Sequence, residues 1–220
     1  MAMPSSSQKE FLMEASRQYR KSLRGSPAEE ALASRGLLEY YKKYSLGYVA
    51  DPLEGHSKYK GMLAIPYIRM SPKGEVSVIS IRFRCLRNHE HRRPQCTGKY
   101  LSLPGDKPRL YNTVELLKDH EVIGITEGEL DAIVATECGL PTVSAQGTKT
   151  WQPHFSIPFQ AYEKVLVLAD NDDAGQGLDF ANMLADQIPN VKIIEMMKGH
   201  DVNSMVQEFG PESLIERLEI

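Results

Sequence analysis

The chain has 220 residues, 41% of them hydrophobic and 25% charged, and a net charge of −3. That composition supplies a core and excludes a largely disordered or fibrous chain. Three cysteines are too few, and odd in number, for a disulfide framework. No apolar run approaches the roughly 18 residues of a membrane span, and MAMPSSSQKEFLMEASRQYRK lacks the apolar stretch of a signal peptide, so no membrane partner and a reducing, cytoplasmic location are expected. The net charge hides a split. Residues 1–119 hold 21 basic against 12 acidic residues, whereas residues 120–220 hold 5 against 17. A basic part suits a polyanion and an acidic part suits divalent cations, although two oppositely charged domains that attract each other would look the same.

In chain order, Phe11, Leu12, Ala15, Tyr19 and Leu23 have helical spacing and predict an amphipathic helix over residues 8–24. Gly25-Ser26-Pro27 ends it and starts a second helix running to Arg35-Gly36, with a third short helix over 37–45. Residues 62–69 and 75–84 read as strands joined by a Ser-Pro-Lys-Gly turn. In the second, Ile79, Ile81 and Phe83 alternate with Ser80, Arg82 and Arg84, so two arginines leave one face of a sheet, as they would on any half-buried strand. From Glu121 the pattern becomes strand 121–126, helix 128–138, strand 141–145, strand 164–169, helix 173–188, strand 191–196 and one or two short C-terminal helices. Short apolar strands alternating with helices predict an α/β fold, a mainly parallel sheet flanked by helices, preceded by a smaller basic α+β part. The expected divisions are a helical extension 1–26, a basic subdomain 27–119 and the α/β domain 120–220.

Three acidic clusters follow three of these strands: Glu127 to Asp131, Asp170 to Asp173, and Asp201 with Asn203. Ligands of an open parallel sheet bind outside the carboxyl ends of its strands, so the clusters should converge on one edge. Carboxylates gathered there repel one another, and a hard cation such as Mg²⁺ relieves that repulsion while also binding phosphate oxygens. Taken singly, each cluster has an ordinary reading: Asp173 as a helix-start charge, Glu129 as a solvated helix residue. Three together are harder to assign to chance.

ITEGELDA, then VLVLADNDDAG, then KGHDVNS resembles the Toprim fold shared by primases, topoisomerases and some nucleases. The resemblance implies Glu127, Asp170 and Asp172 as catalytic, metal-associated acids. Asp131 and Asp201 would support them, with Asn203 at an often acidic position. Upstream, IPYIRMSPKGEVSVISIRFR and GKYLSLPGDKPRLYN are similar to the RNA-polymerase domain of bacterial and bacteriophage DnaG-type primases. That implies Arg84, Lys99 and Tyr100, with Arg82 and Arg109 as weaker candidates, in a basic-aromatic group facing the acids. Gly147 and Thr148 would line the same cleft. The expected activity is synthesis of short RNA primers on single-stranded DNA from ribonucleoside triphosphates, with Mg²⁺ or Mn²⁺ as cofactor. Residues 1–60 contain no cysteine, so a free-standing core is expected, working with a separate zinc-binding module or replicative helicase. The competing readings are a Toprim nuclease and a non-catalytic nucleic-acid-binding protein. Cys85, His89, His91 and Cys96 form a candidate zinc set of irregular spacing, in a segment better suited to a basic hairpin that touches nucleic acid through Arg87, Arg92 and Arg93.

Overall fold

The computed structural model describes residues 4–87, 98–171 and 175–218. The chain divides into two compact units, Met1–Asp106 and Lys107–Ile220.

The first unit begins with α1 (Ser6–Lys21), which Ser5 starts. The Ser5 hydroxyl accepts the Gln8 amide proton at 3.2 Å, and the Gln8 side chain accepts the Ser5 amide proton at 2.8 Å. Leu12, Ala15 and Tyr19 form its buried stripe. Pro27 opens α2 (Pro27–Ala33) after the Ser26 cap. The stretch expected as a third helix forms only a short 3₁₀ turn, Leu38–Tyr40. Behind α1 lies an antiparallel sheet in the order β1 (Gly47–Tyr48), β2 (Leu63–Met70), β3 (Val76–Arg84), β4 (Tyr100–Leu101). β1 reaches only Leu63 and Ala64, so β2 is an edge at Pro66, where a residue without an N–H is tolerated. α1 approaches β1 so closely that a Cβ on Gly47 would lie 2.4 Å from the Tyr19 carbonyl carbon. The β2–β3 register shifts between Tyr67 and Ile68, which leaves Ile79 as an extra residue on β3. The alternation expected along β3 is therefore broken. Val78, Ile81 and Phe83 share the core cluster beneath α1, and Ile79 is not among them.

The second unit contains β5 (Val122–Thr126), α3 (Glu129–Glu137), β6 (Thr142–Ser144), β7 (Lys164–Ala169), α4 (Gln176–Ala185), β8 (Val191–Glu195), α5 (Val202–Phe209) and α6 (Pro211–Leu218). The sheet is wholly parallel, in the order β6-β5-β7-β8. Ile123, Ile125, Val165, Val167 and Ala169 meet Phe180, Ala181 and Leu184 of α4 in one core cluster. The alternate strand residues turn to the other face, and α3 packs along β5 and β6. The segment Pro153–Ala161, which the sequence does not announce, is a run of 3₁₀ turns that adds Phe155 and Phe159 to the α4 side. Trp151 anchors it: its ring is 8% exposed, meets Phe155 edge-on and donates Nε1–H to Gln187 at 3.0 Å.

Candidate active site

Strand order places the reversal of direction between β5 and β7, because β5 connects outward to β6 on one side while β7 connects outward to β8 on the other. The crevice at such a switch point lies beyond the carboxyl ends of the two strands. Glu127 follows β5 and Asp170 follows β7, on neighbouring parallel strands. Both are half-buried, and Oδ1 of Asp170 is removed from solvent.

Local bonding fixes each loop. The Thr126 hydroxyl donates to the Gly128 carbonyl at 3.0 Å, and Ala145 N–H donates to the Thr126 carbonyl at 3.2 Å, tying the end of β5 to the end of β6. Gly128 begins α3. A Cβ there would lie 2.5 Å from Oδ2 of Asp131, so the Asp131 carboxylate folds back over the turn that carries Glu127. Its other oxygen accepts the Asn203 amide proton at 3.0 Å, joining the first turn of α3 to that of α5. Asp201 caps α5, accepting from Ser204 N–H at 2.7 Å. Beyond β7, Asn171 donates its N–H to the His200 carbonyl at 3.0 Å and accepts from Gly199 N–H at 2.7 Å. Its side-chain amide donates to the Met196 carbonyl at 3.0 Å. The loops after β7 and β8 are thus zipped together, one carrying Asp170 and the other Asp201. α4 presses on the first of them: a Cβ on Gly177 would lie 2.3 Å from the Asp170 carbonyl oxygen.

Of the expected acids, Glu127, Asp131, Asp170 and Asp201 thus stand on loops joined by these bonds, with different side-chain commitments. One oxygen of Asp131 and one of Asp201 are taken by helix-start amides. Asn203 is buried, and its backbone contributes to the Asp131 contact. Among the described residues no group of three or more His, Cys, Asp or Glu is close enough to hold a metal ion. Asp172 lies outside the described residues, as do His89, His91, Arg92, Arg93 and Cys96. The donors present are all carboxylate or amide oxygens, which suits a hard divalent cation rather than a soft one.

Gly147, with φ of 102°, follows Gln146 at the end of β6, and Thr148 opens the next 3₁₀ turn. Ser144 Oγ and Gln146 Nε2 are buried and make no hydrogen bond among the described residues. Leu110-Tyr111-Asn112 lies beside β6: Tyr111 N–H donates to the Ser144 carbonyl at 2.8 Å. Asn112 is left-handed, with φ of 57°, and its amide donates to the Thr142 carbonyl at 2.8 Å. Tyr111 is fully buried, and burial together with the charge of Glu129 drives its phenol far above the ordinary range. Sequence reasoning missed this pair, because Glu129 was expected on a solvated helix face and is 1% exposed. Its position two residues after Glu127, in the first turn of a helix that buries most of its residues, was the available signal. Arg109 is buried at 5% exposure.

In the first unit, Arg84 and Tyr100 are directly paired across β3 and β4. The Arg84 guanidinium hydrogen-bonds the Tyr100 hydroxyl. Arg82 and Arg84 both lie against the Tyr100 ring, at 4.7 and 5.2 Å from its centroid. Lys99, next to them, is exposed.

A Toprim-like family matches residues 124–206. The Gene 57 protein of Mycobacterium phage D29 is 48% identical over 160 residues, which is 73% of this chain and 99% of that protein. The chain belongs to the family of that phage protein. Its fold is that of DnaG primase catalytic cores. A DnaG primase catalytic domain bound to single-stranded DNA superposes with a TM-score of 0.71 at 20% identity, over 96% of this chain and 80% of that one. The RNA polymerase domain of Mycobacterium tuberculosis primase in complex with double-stranded DNA gives 0.74 at 16% identity, over 98% and 81%. No helix of the described residues is long and apolar enough to cross a membrane.

Proposed function

We propose that the protein is a primase core that joins ribonucleotides on a single-stranded DNA template in the cytoplasm of a phage-infected cell. The observation that carries this reading is the placement of Glu127 and Asp170 at the carboxyl ends of two adjacent parallel strands, within a fold otherwise seen in DnaG catalytic cores. Nucleotidyl transfer asks for little covalent chemistry from the protein. It needs a 3′-hydroxyl, an α-phosphate and a pyrophosphate leaving group held in line, with the developing charge balanced.

Glu127, Asp170 and Asp172 would hold Mg²⁺ or Mn²⁺, with Asp131, Asp201 and Asn203 setting the loops around them. An ion held there would supply activation of the attacking hydroxyl and charge stabilisation. Arg84, Arg82, Lys99 and Tyr100 are assigned to phosphate and template binding. Stacked guanidiniums on an aromatic ring present bidentate donors with little freedom left to lose. Gly147 and Thr148 are assigned to the nucleotide. Arg109, being buried, is assigned a supporting role behind the Leu110-Tyr111-Asn112 segment. Template choice is assigned to a separate zinc-binding module or helicase.

Incorporation of labelled ribonucleotides on single-stranded DNA with Mg²⁺ or Mn²⁺ tests this. Short RNA products are expected, reduced at least about 100-fold in Asp170→Ala or Glu127→Ala, the scale of losing one group that stabilises transition-state charge. Full activity in either variant overturns the mechanism. Metal-dependent cleavage of the DNA without synthesis would replace it with the nuclease reading.

A further inference from the structure

The first unit carries a second cationic group in its helical layer. α1 covers the sheet face that bears Ile81 and Phe83, so Arg82 and Arg84, which alternate with them, lie on the opposite face. At the other side, Arg20 and Lys21 from the last turn of α1 join Tyr41 and Lys42 around a shallow cavity of about 310 Å³. Among the described residues no carboxylate lines it. The nearby Glu29 is already engaged by Arg24 at 2.5 Å and by the Gly25 amide. Lys21 and Lys42 are exposed, and neither is paired with a carboxylate among the described residues. Arg20 is steered by the Ser45 hydroxyl at 3.4 Å.

Tyr41 is 7% exposed, and the Arg24 guanidinium and Lys42 ammonium lie 5.3 and 5.9 Å from its ring centroid. The ring therefore acts as a platform for cations rather than as a face for a base. The dipole of α1 accounts for cations in its last turn, but not for Lys42 on a separate segment closing the same cavity. Three cations around one cavity, with no carboxylate lining it among the described residues, favour binding of an anion whose charges are spaced along a chain.

We propose that this cavity docks the phosphodiester backbone of a nucleic-acid strand, as a surface distinct from the Arg82–Arg84–Tyr100 group. The inference concerns binding and stands whether or not the protein synthesises primers. Anisotropy of a fluorescein-labelled single-stranded oligonucleotide, measured between roughly 50 and 200 mM salt, tests it. In the Arg20→Gln/Lys21→Gln/Lys42→Gln variant the slope of log K against log salt should fall by about 2, at about 0.7 per lost single-strand contact. An unchanged slope overturns the proposal. An equal fall per charge in Lys60→Gln/Lys73→Gln also overturns it, since that would be a bulk-charge effect. Calorimetry with a ribonucleoside triphosphate should give the same affinity for variant and wild type. Lost triphosphate binding with intact DNA binding would assign the cavity to free nucleotide instead and overturn the backbone reading. If the triple variant does not fold, Lys21→Gln/Lys42→Gln changes only exposed side chains and should lower the slope by about 1.4. Primer synthesis at saturating template should be retained in these variants if the core is active. A lowered slope in a protein that makes no primers would separate the fate of this surface from that of the activity.

Discussion

Gly177 shows how little space the candidate site leaves at the level of single atoms. Its α-carbon lies against the Asp170 backbone, where an added Cβ would come within 2.3 Å of a carbonyl oxygen and 2.8 Å of an amide nitrogen. Neither neighbour is the flexible end of a side chain, so the backbone that carries Asp170 must move. Gly177→Ala should destabilise the protein by about 1–3 kcal/mol, the usual cost of overpacking. It should also lower ribonucleotide incorporation by more than that destabilisation explains at temperatures where the variant remains folded. Urea unfolding beside an incorporation assay measures both. Wild-type incorporation in a folded variant would mean that the position of Asp170 is not critical. Asn112 makes a related point about reading sequence. Asn112 in RLYN has its backbone at φ of 57°, a conformation that Asn and Gly adopt at low cost. Nothing in those four residues tells of the bond from its amide to the Thr142 carbonyl, which joins segments 30 residues apart.

Among the elements, α1 is joined to its unit by a buried polar contact inside an aromatic cluster. Leu53 N–H donates to the Tyr19 hydroxyl at 3.2 Å, and that hydroxyl shares a hydrogen bond with Nδ1 of His56 at 2.8 Å. His56 is otherwise surrounded by the rings of Phe11, Tyr59 and Phe83. Tyr19→Phe leaves the buried His56 ring nitrogen and the half-buried Leu53 N–H without this partner and should cost about 1–3 kcal/mol. Burial holds the His56 imidazole below its ordinary value of about 6.5. The unfolded chain then binds a proton more readily than the folded one. Stability from this residue is complete above pH 6.5 or so and declines as pH falls from there toward the lower folded value. The chemical-denaturation midpoint should drop over that window, and His56→Gln, which keeps a hydrogen-bonding group and cannot titrate there, should flatten the drop. An equal decline in that variant would assign the acid sensitivity to other groups. Helix α1 itself was legible from its apolar spacing, and strands β5, β7 and β8 from short apolar runs. β1 and β4 were not, because two-residue strands carry no period; their places depend on Gly47 meeting Tyr19 and on Tyr100 pairing with Arg84. The bulge at Ile79 was hidden for a similar reason: an inserted residue changes the face without changing the composition.

At the scale of the molecule, charge follows the division into units. Met1–Asp106 has 18 basic and 10 acidic residues, whereas Lys107–Ile220 has 8 and 19. The acidic clusters were readable as clusters because each follows an apolar strand. Their commitments were not: Asp201 spends an oxygen capping its own helix, and Asp131 gives one to the Asn203 amide only once α5 has packed beside α3. Glu127 and Asp170, if gathered at the β5 and β7 ends as proposed, would repel one another without a cation. An ion that binds the native site and not the unfolded chain stabilises it by about 2.7 kcal/mol at a hundredfold excess over Kd. Trp151 is the single tryptophan of the chain and is buried in the second unit, so its fluorescence reports the unfolding of that unit alone. Mg²⁺ or Mn²⁺ should raise the melting temperature followed at Trp151. Asp170→Ala should abolish that rise and, without metal, melt no lower than the wild type, because it removes one of the mutually repelling charges. A metal-induced rise that survives in both Asp170→Ala and Glu127→Ala would place the ion elsewhere in the second unit. Such a result would separate the acidic edge of the sheet from the chemistry assigned to it.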